Sequence, residues 1–479
     1  MGRASLNFLS RSEVEAIHNA TLEVLETVGL NIPSKTALEI LDKAGANVDY
    51  EKNRVTIPEH VVKEALAKAP KTITYCARNP KNDFTLDKKK THFGTDGYAV
   101  FIRDFETGKR RSSTKQDLAL WASIADYLPM VNNFWPSVAP TEVPVAVQFT
   151  YAMLTSLSNM GKHVEGEAKN AREARYEIEI AAAIVGGEEN LRKRPIISAV
   201  ACPVAPLGYE TGLLEATIEF SKAGIPVVPL AMPVAGQTGP MTIAGTLVVN
   251  NAEVLGNLVI CEFASPGAPV LYAGCPGTMD LKTGKFICAP ESELVNGALT
   301  SLARYYDLPC EISGGASNSN TLDVQSGYER TLGILTTSLT GPDILCCLGG
   351  LEASNTMSPE LLVIDNEIVE EALRIERGFE VNPDTLAVDV IQKVGPGGHF
   401  LGQKHTITHM RSEQWIPKIS DSRTYGAWAE AGSKDVATVA REKIKQILAT
   451  HKPEPLPKDV QEEIAGIMKR CEKEFLEQA

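Results

Sequence analysis

The sequence predicts an α/β fold: a (β/α)₈ TIM barrel with an N-terminal helical and β-hairpin extension and C-terminal helices. Three observations predict it. From about residue 115, short apolar runs at 131–137, 163–166, 196–202, 226–232, 269–275, 310–314 and 344–348 alternate with helical stretches such as 171–185, 209–222 and 291–305. Such alternation marks parallel strands joined by crossover helices. The runs end alike, in Cys202-Pro203, Met232-Pro233 and Cys275-Pro276 or in the glycine pairs Gly314-Gly315 and Gly349-Gly350. Proline stops ladder pairing, and small residues leave space above a barrel. The chain of 479 residues is 43% hydrophobic, enough for one large core.

Taken in order, Ser10 caps a helix carrying Val14, Ile17, Leu22, Leu25 and Val28, which Gly29 stops. A second helix runs from about Ser34 to Lys43, and Pro58 opens a third. Residues 72–113 switch to period-two patterning: 72–75 and 84–86 alternate like strands, and Glu106-Thr107-Gly108 reads as a hairpin turn between 93–103 and 109–112. The eighth barrel strand is expected at 361–364. Gly395-Pro396-Gly397-Gly398 interrupts the next helical stretch, and amphipathic helices at about 433–450 and 457–476 close the chain. The expected division is an extension over 1–114, a catalytic barrel over 115–394 and a C-terminal loop and helical tail over 395–479.

A net charge of −13 argues against broad contact with nucleic acid or an anionic membrane. No run reaches the ~20 apolar residues that span a bilayer. Nine cysteines scattered in apolar runs, with no CxxC pair, fit reduced thiols in a cytoplasmic protein. A nucleophile elbow, a P-loop and a dinucleotide fingerprint are all absent. His405 and His409 share the spacing of one helix face, with His399 nearby, but no HExxH pattern accompanies them. Hydrogen-bonded structural histidines account for them, and no metal is expected.

The loop from Ser313 to Glu329, SGGASNSNTLDVQSGYE, follows a strand and leads into a helix. Loops at strand carboxyl ends form a barrel's mouth and bind ligands. A Gly-rich turn with an Asn/Ser cap explains the same residues structurally. Tyr209, Glu210, Gln237, Asp280, Asn318, Asn320, Asp323, Gln325, Tyr328, Glu329 and Glu352 are placed above the strands. Carboxylates and aromatic faces together attract a cationic ammonium ligand.

Three stretches resemble the trimethylamine methyltransferase superfamily. They are the opening pattern from Leu9-Ser10 to Val28-Gly29, the loop from Gly314-Gly315 to Tyr328-Glu329, and Gly395-Pro396-Gly397-Gly398-His399-Phe400-Leu401-Gly402 continuing through His405, His409-Met410-Arg411 to Trp415. The resemblance implies a (β/α)₈ barrel that moves a methyl group from an amine to the cobalt of a corrinoid (cobalamin) carried by a partner protein, with no cofactor held tightly by the chain itself. Members acting on trimethylamine carry pyrrolysine in the central loop; here 317–323 are ordinary residues. That departure implies a quaternary amine substrate, such as glycine betaine, proline betaine or carnitine. A quaternary nitrogen is already positive, so its methyl group needs no covalent capture. On this reading Asn318, Asn320 and Gln325 are the catalytic, methyl-presenting residues, and Tyr98, Trp135 and Tyr209 cage the ammonium. His399, His405 and Arg411 anchor a substrate carboxylate if the C-terminal loop folds back over the mouth. A homo-oligomer is expected. A metal-dependent barrel lyase or hydrolase and a non-catalytic binder of methylated amines are the alternative readings.

Overall fold

The computed structural model describes residues 4–288 and 290–476. Its centre is a ring of parallel strands: β1 (His92–Thr95), β2 (Asn133–Phe134), β3 (His163–Gly166), β4 (Ile197–Val200), β5 (Val227–Val228, continued as Leu230–Ala231), β6 (Tyr272–Gly274), β7 (Cys310–Ser313) and β8 (Ile344–Leu348). Each pairs in parallel with its chain neighbour, and β8 pairs with β1, with Ile344 opposite His92. Pro229 splits β5 because it has no N–H to give the ladder.

The expected eighth strand at 361–364 is a helix. Ser358 caps it and Pro359 opens it, so the apolar run Leu361-Leu362-Val363 lies inside Pro359–Arg377. The strand that completes the ring is β1, inside the segment expected to be hairpin extension. Only Phe101–Arg103 and Arg110–Ser112 of that segment form the hairpin around Glu106-Thr107-Gly108.

Outside the ring lie α1 (Lys115–Tyr127), α2 (Gln148–Ser158), α3 (Ala171–Val185), α4 (Thr211–Ala223), α5 (Ile243–Ala264), α6 (Glu291–Tyr305), α7 (Val324–Thr340) and α8 (Pro359–Arg377). The N-terminal helices Arg11–Glu23, Lys35–Lys43 and Glu59–Lys68 pack over α5. This second cover explains why α5 is apolar nearly all round. Contrary to the sequence expectation, α5 is long and apolar enough to cross a bilayer, but it is mostly buried within the protein. Ser10 and Glu13 form the capping box of the first helix.

The hairpin Ile73–Tyr75/Phe84–Leu86 plugs the amino-terminal end of the barrel, where Tyr75 stacks on His163 at 4.0 Å and Phe84 lies 4.4 Å from His92. In the tail, Val436–Thr450 packs on α8 and α1, and Lys458–Leu476 packs on α3. With one end plugged, access to the barrel is from the carboxyl ends of the strands.

Candidate functional site

Alternation along β3 turns His163, Glu165 and Glu167 into the barrel at three successive heights. Glu165 is fully buried; Asn133 Nδ2 (2.9 Å) and Ser198 Oγ (3.1 Å) both donate to its Oε2. Glu311 of β7 faces it. Burial raises both carboxyls, Glu311 well above the usual range. Two adjacent carboxyls without a cation hold a proton between them rather than ionise together.

One layer higher is the mouth. Glu167 keeps part of its surface open there, and its carboxyl is pushed up to about 8 by burial and then by Glu165. Burial also raises Glu173 and Glu177 on α3, the latter well above the carboxylate range. Neither carboxyl oxygen of Glu177 has a hydrogen-bond partner among the described residues. The Lys169 ammonium donates to the Val145 carbonyl (3.0 Å) and lies 4.6 Å from the Phe149 ring centre, and its charge partly offsets the upward shift of Glu167 and Glu173.

Two aromatic walls stand beside these acids. Trp135 lies so close over Gly97 that a Cβ there would meet the indole at 2.2 Å. Tyr98 sits at φ 54° and meets Phe149 edge-on at 4.5 Å. The indole N–H faces the Glu167 carboxyl, the Tyr98 hydroxyl faces the Glu167 backbone and one oxygen of Asp96 is buried near Ser354 and Cys347, yet none of the three makes a close hydrogen bond among the described residues. Buried polar groups are nearly always paired, so three loosely satisfied groups in one place leave hydrogen-bonding capacity for a ligand or ordered water. Cys202 and Cys275 end their strands at the same level. Burial pushes the Cys202 thiol well up, which keeps it a neutral lining and not a thiolate nucleophile.

The end of β8 and the turn after it are held under strain. Cys347, Glu352, Ala353 and Ser354 all have positive φ, between 52° and 76°. Such residues cost about 1–3 kcal/mol each and persist only where the surroundings hold them. The holder is a fully buried pair of Arg330 and Asp365. Arg330 Nε donates to Asp365 Oδ1 (2.6 Å), its Nη1 donates to the Gly350 carbonyl (2.7 Å), and Gly349 N donates to Asp365 Oδ2 (2.7 Å).

The central loop is tied on three sides. The Glu329 carboxylate accepts from Ser317 Oγ (2.7 Å), Asn318 N (2.9 Å) and Gln325 Nε2 (2.9 Å). The Asn318 side chain donates to the Phe286 carbonyl (2.7 Å) and accepts from Cys288 N. Glu352 N and Ala353 N donate to the Ser319 and Ser317 carbonyls. Gly315 has no room for a side chain, because a Cβ would stand 2.6 Å from the Cys347 carbonyl oxygen.

Residues 2–475 match the family model described as trimethylamine methyltransferase (MTTB). The chain belongs to the trimethylamine methyltransferase family. It is 37% identical to the trimethylamine methyltransferase MttB of Desulfitobacterium hafniense (strain DSM 10664 / DCB-2), over 97% of this chain and 94% of that one. It is 35% identical to the MttB of Methanosarcina barkeri (strain Fusaro / DSM 804), over 98% and 96%. A glycine betaine methyltransferase of Desulfitobacterium hafniense (strain Y51) is 32% identical, over 98% of each chain. The chain is therefore a methyltransferase.

Within this family member, the expected site residues separate. Tyr98 and Trp135 stand at the mouth. Tyr209 does not: it is buried between the N-terminal layer and α5, its hydroxyl donates to the Glu253 carbonyl, and it abuts Gly256. Asn318 and Gln325 have their amides engaged in holding the loop, and Asn320 is exposed. His399, His405 and Arg411 lie on an arm that leaves the C-terminal end of α8, at the end of the barrel opposite the mouth, so the loop does not fold back over it. There the His405 and His409 rings lie 4.2 Å apart and His409 Nε2 is 3.3 Å from Asp384. Among the described residues no group of three His, Cys, Asp or Glu is arranged to hold a metal ion.

The sequence reading missed Asp96, Glu165, Glu167 and Glu311. The available signal was His163-x-Glu165-x-Glu167, charged residues at alternate positions of a barrel strand, which must all face inward.

Proposed function

We propose that this chain transfers a methyl group from a quaternary amine, glycine betaine first among the candidates, to a corrinoid carried by a separate protein. The observation that carries the substrate class is the composition of the mouth: three carboxyls, Glu167, Glu173 and Glu177, beside Trp135 and Tyr98, against the single ammonium of Lys169, which is engaged by the Val145 carbonyl. A cationic ammonium is attracted by the aromatic faces, at roughly 0.5–2 kcal/mol per ring, and by any carboxylate it draws into ionisation. The full-length similarity to a glycine betaine methyltransferase supports the same reading.

The corrinoid, brought by its carrier, supplies the cobalt nucleophile that accepts the methyl group. Val100, Val145, Val204, Met241 and Leu281 are exposed, each in a different βα loop, and exposed Val324 opens α7, so apolar groups rim the carboxyl-terminal end of the barrel. Exposed apolar groups rimming a site mark a protein contact.

The chain's own part is orientation. Trp135 and Tyr98 hold the ammonium and Glu167 balances its charge. The loop fixed by Glu329, Asn318 and Gln325, with the β8 turn clamped by Arg330 and Asp365, forms a rigid opposite wall. Holding one N–CH₃ bond outward and excluding water lowers a barrier by up to ~7–11 kcal/mol. Asn318 and Gln325 act here as positioning residues. We also place the protein in the cytoplasm, where its cysteines stay reduced.

Purified protein incubated with cob(I)alamin and glycine betaine is expected to yield dimethylglycine, read by mass spectrometry. Failure to demethylate glycine betaine, proline betaine and carnitine alike, with a folded enzyme, overturns the quaternary-amine assignment.

A further inference from the structure

The plugged end of the barrel holds a cavity that chemistry at the mouth does not use. Its volume is about 510 Å³, within the roughly 300–1,000 Å³ of ligand pockets. Its floor is made by Asp126 near the end of α1, Ile184 near the end of α3 and Gly161 just before β3. Helix ends and strand starts meet at the amino-terminal face, opposite the mouth. One wall is the turn at 78–82 in the plug hairpin, and the other is the strap at 451–457 that joins the two tail helices.

Both walls are fixed. Asp83 accepts from Ala77 N (2.8 Å) and pairs with Arg194 (2.7 Å), which locks the backbone on either side of Arg78. In the strap, Pro453, Pro455 and Pro457 hold φ near ~−65° and keep the segment extended. His451 Nε2 lies 2.7 Å from Asp126 Oδ2, the Glu454 carbonyl accepts from Arg78, and Leu456 is buried.

The charges inside are uneven. Asp126 is fully engaged, since its Oδ1 accepts from Gly161 N (2.8 Å) and its Oδ2 meets His451. Arg78 is half-buried, yet among the described residues it makes no ion pair, and the Glu454 carbonyl is its one acceptor. Burial works against its charge. A guanidinium offers five N–H donors in a planar fork, so most of this one's capacity is unused. Asn79 Oδ1 accepts from Lys81 N (3.1 Å), which leaves its amide N–H₂ to donate, and Lys452 on the strap adds a second cation.

We propose that this cavity binds a small oxyanion, the carboxylate or phosphate group of a polar metabolite, with Arg78 as its forked anchor and Asn79 and Lys452 as further donors. Guanidinium and oxyanion meet through two parallel hydrogen bonds. A cationic ligand is repelled by Arg78 and Lys452, and an apolar one strands the Arg78 and Asn79 donors without acceptors. The bound anion touches both the plug and the tail strap. It therefore fastens the tail to the barrel and stabilises the fold, as any ligand confined to the native state does.

Calorimetry on the full chain tests this with two probes, inorganic phosphate and citrate, each up to about 20 mM at constant ionic strength. Saturable binding of at least one probe is expected, at one site per chain. Binding of phosphate alone assigns a phosphate group, and binding of citrate alone a carboxylate. Arg78→Gln should weaken the binding by roughly tenfold to a hundredfold, the worth of charge-assisted hydrogen bonds, with unchanged circular dichroism. Arg78→Lys keeps the charge but loses the fork, and should fall between. Hydrogen exchange of the wild type gives a readout that no variant's folding affects. A saturating probe should slow the amides of 77–83 and of His451, Lys452 and Glu454, and leave the loop at 313–329 unchanged. Absence of saturable binding for both probes, wild-type affinity in Arg78→Gln, or protection placed elsewhere overturns the proposal.

Discussion

Replacing Glu167 by glutamine removes the ionisable group at the mouth while keeping its shape. Burial holds the native carboxyl at about 8, so at pH 7 it is mostly protonated in the empty site. A quaternary ammonium at ~5 Å gains about 3 kcal/mol from the ionised form at an effective dielectric of ~20. Ionising the carboxyl one pH unit below its pKa costs about 1.4 kcal/mol. The net advantage over glutamine is about 2 kcal/mol, or roughly 30-fold in Kd. The sign of the pH dependence follows. Below pH 8 the bound cation must expel a proton, so affinity climbs by up to tenfold per pH unit and then levels off above 8. Calorimetry with glycine betaine in two buffers of different ionisation enthalpy should show close to one proton released at pH 7. Glu167→Gln should release none, bind more weakly and show no slope. A variant with wild-type affinity and an unchanged pH profile would refute the assignment of Glu167 as the ammonium's counter-charge.

Glu311→Gln acts on stability. A carboxyl raised by burial stabilises the fold below its unfolded pKa and loses that contribution as pH rises toward the folded one. The variant's Tm should therefore exceed the wild type's by a margin that grows from pH 5 to pH 9; a constant difference counts against a protonated Glu165–Glu311 pair. Asp365→Ala strands the buried Arg330 charge and releases the β8 turn, with an expected loss of about 3–5 kcal/mol in urea unfolding. Tyr209→Phe should lose only one hydrogen bond, about 1 kcal/mol, and leave glycine betaine affinity unchanged; a large loss of affinity would restore Tyr209 to the site.

The local signals in the sequence were strong where neighbours in the chain decide the outcome. Ser10, Ser34 and the Glu106-Thr107-Gly108 turn each carried their element, because caps and turns are chemistry between adjacent residues. The run at 361–364 misled because four apolar residues suit a strand or a buried helix equally, and the deciding Ser358-Pro359 start lay just upstream. β1 was concealed for the converse reason. His92-Phe93-Gly94-Thr95 looks like a hairpin strand until β8 closes the ring against it.

Most element types, the alternating β/α order, the polar loop at 313–329 and the family were legible before any coordinates, since periodicity, turn residues and motifs are written along the chain. Which residues share a pocket was not. Glu165 and Glu311 lie on strands far apart in sequence, and Tyr209 follows a strand closely yet turns into an outer layer. Their meeting or parting depends on the direction of each side chain once the ring has closed, and on which surfaces the N-terminal helices happen to cover. No stretch of sequence encodes that alone, because it is a property of all eight strands at once.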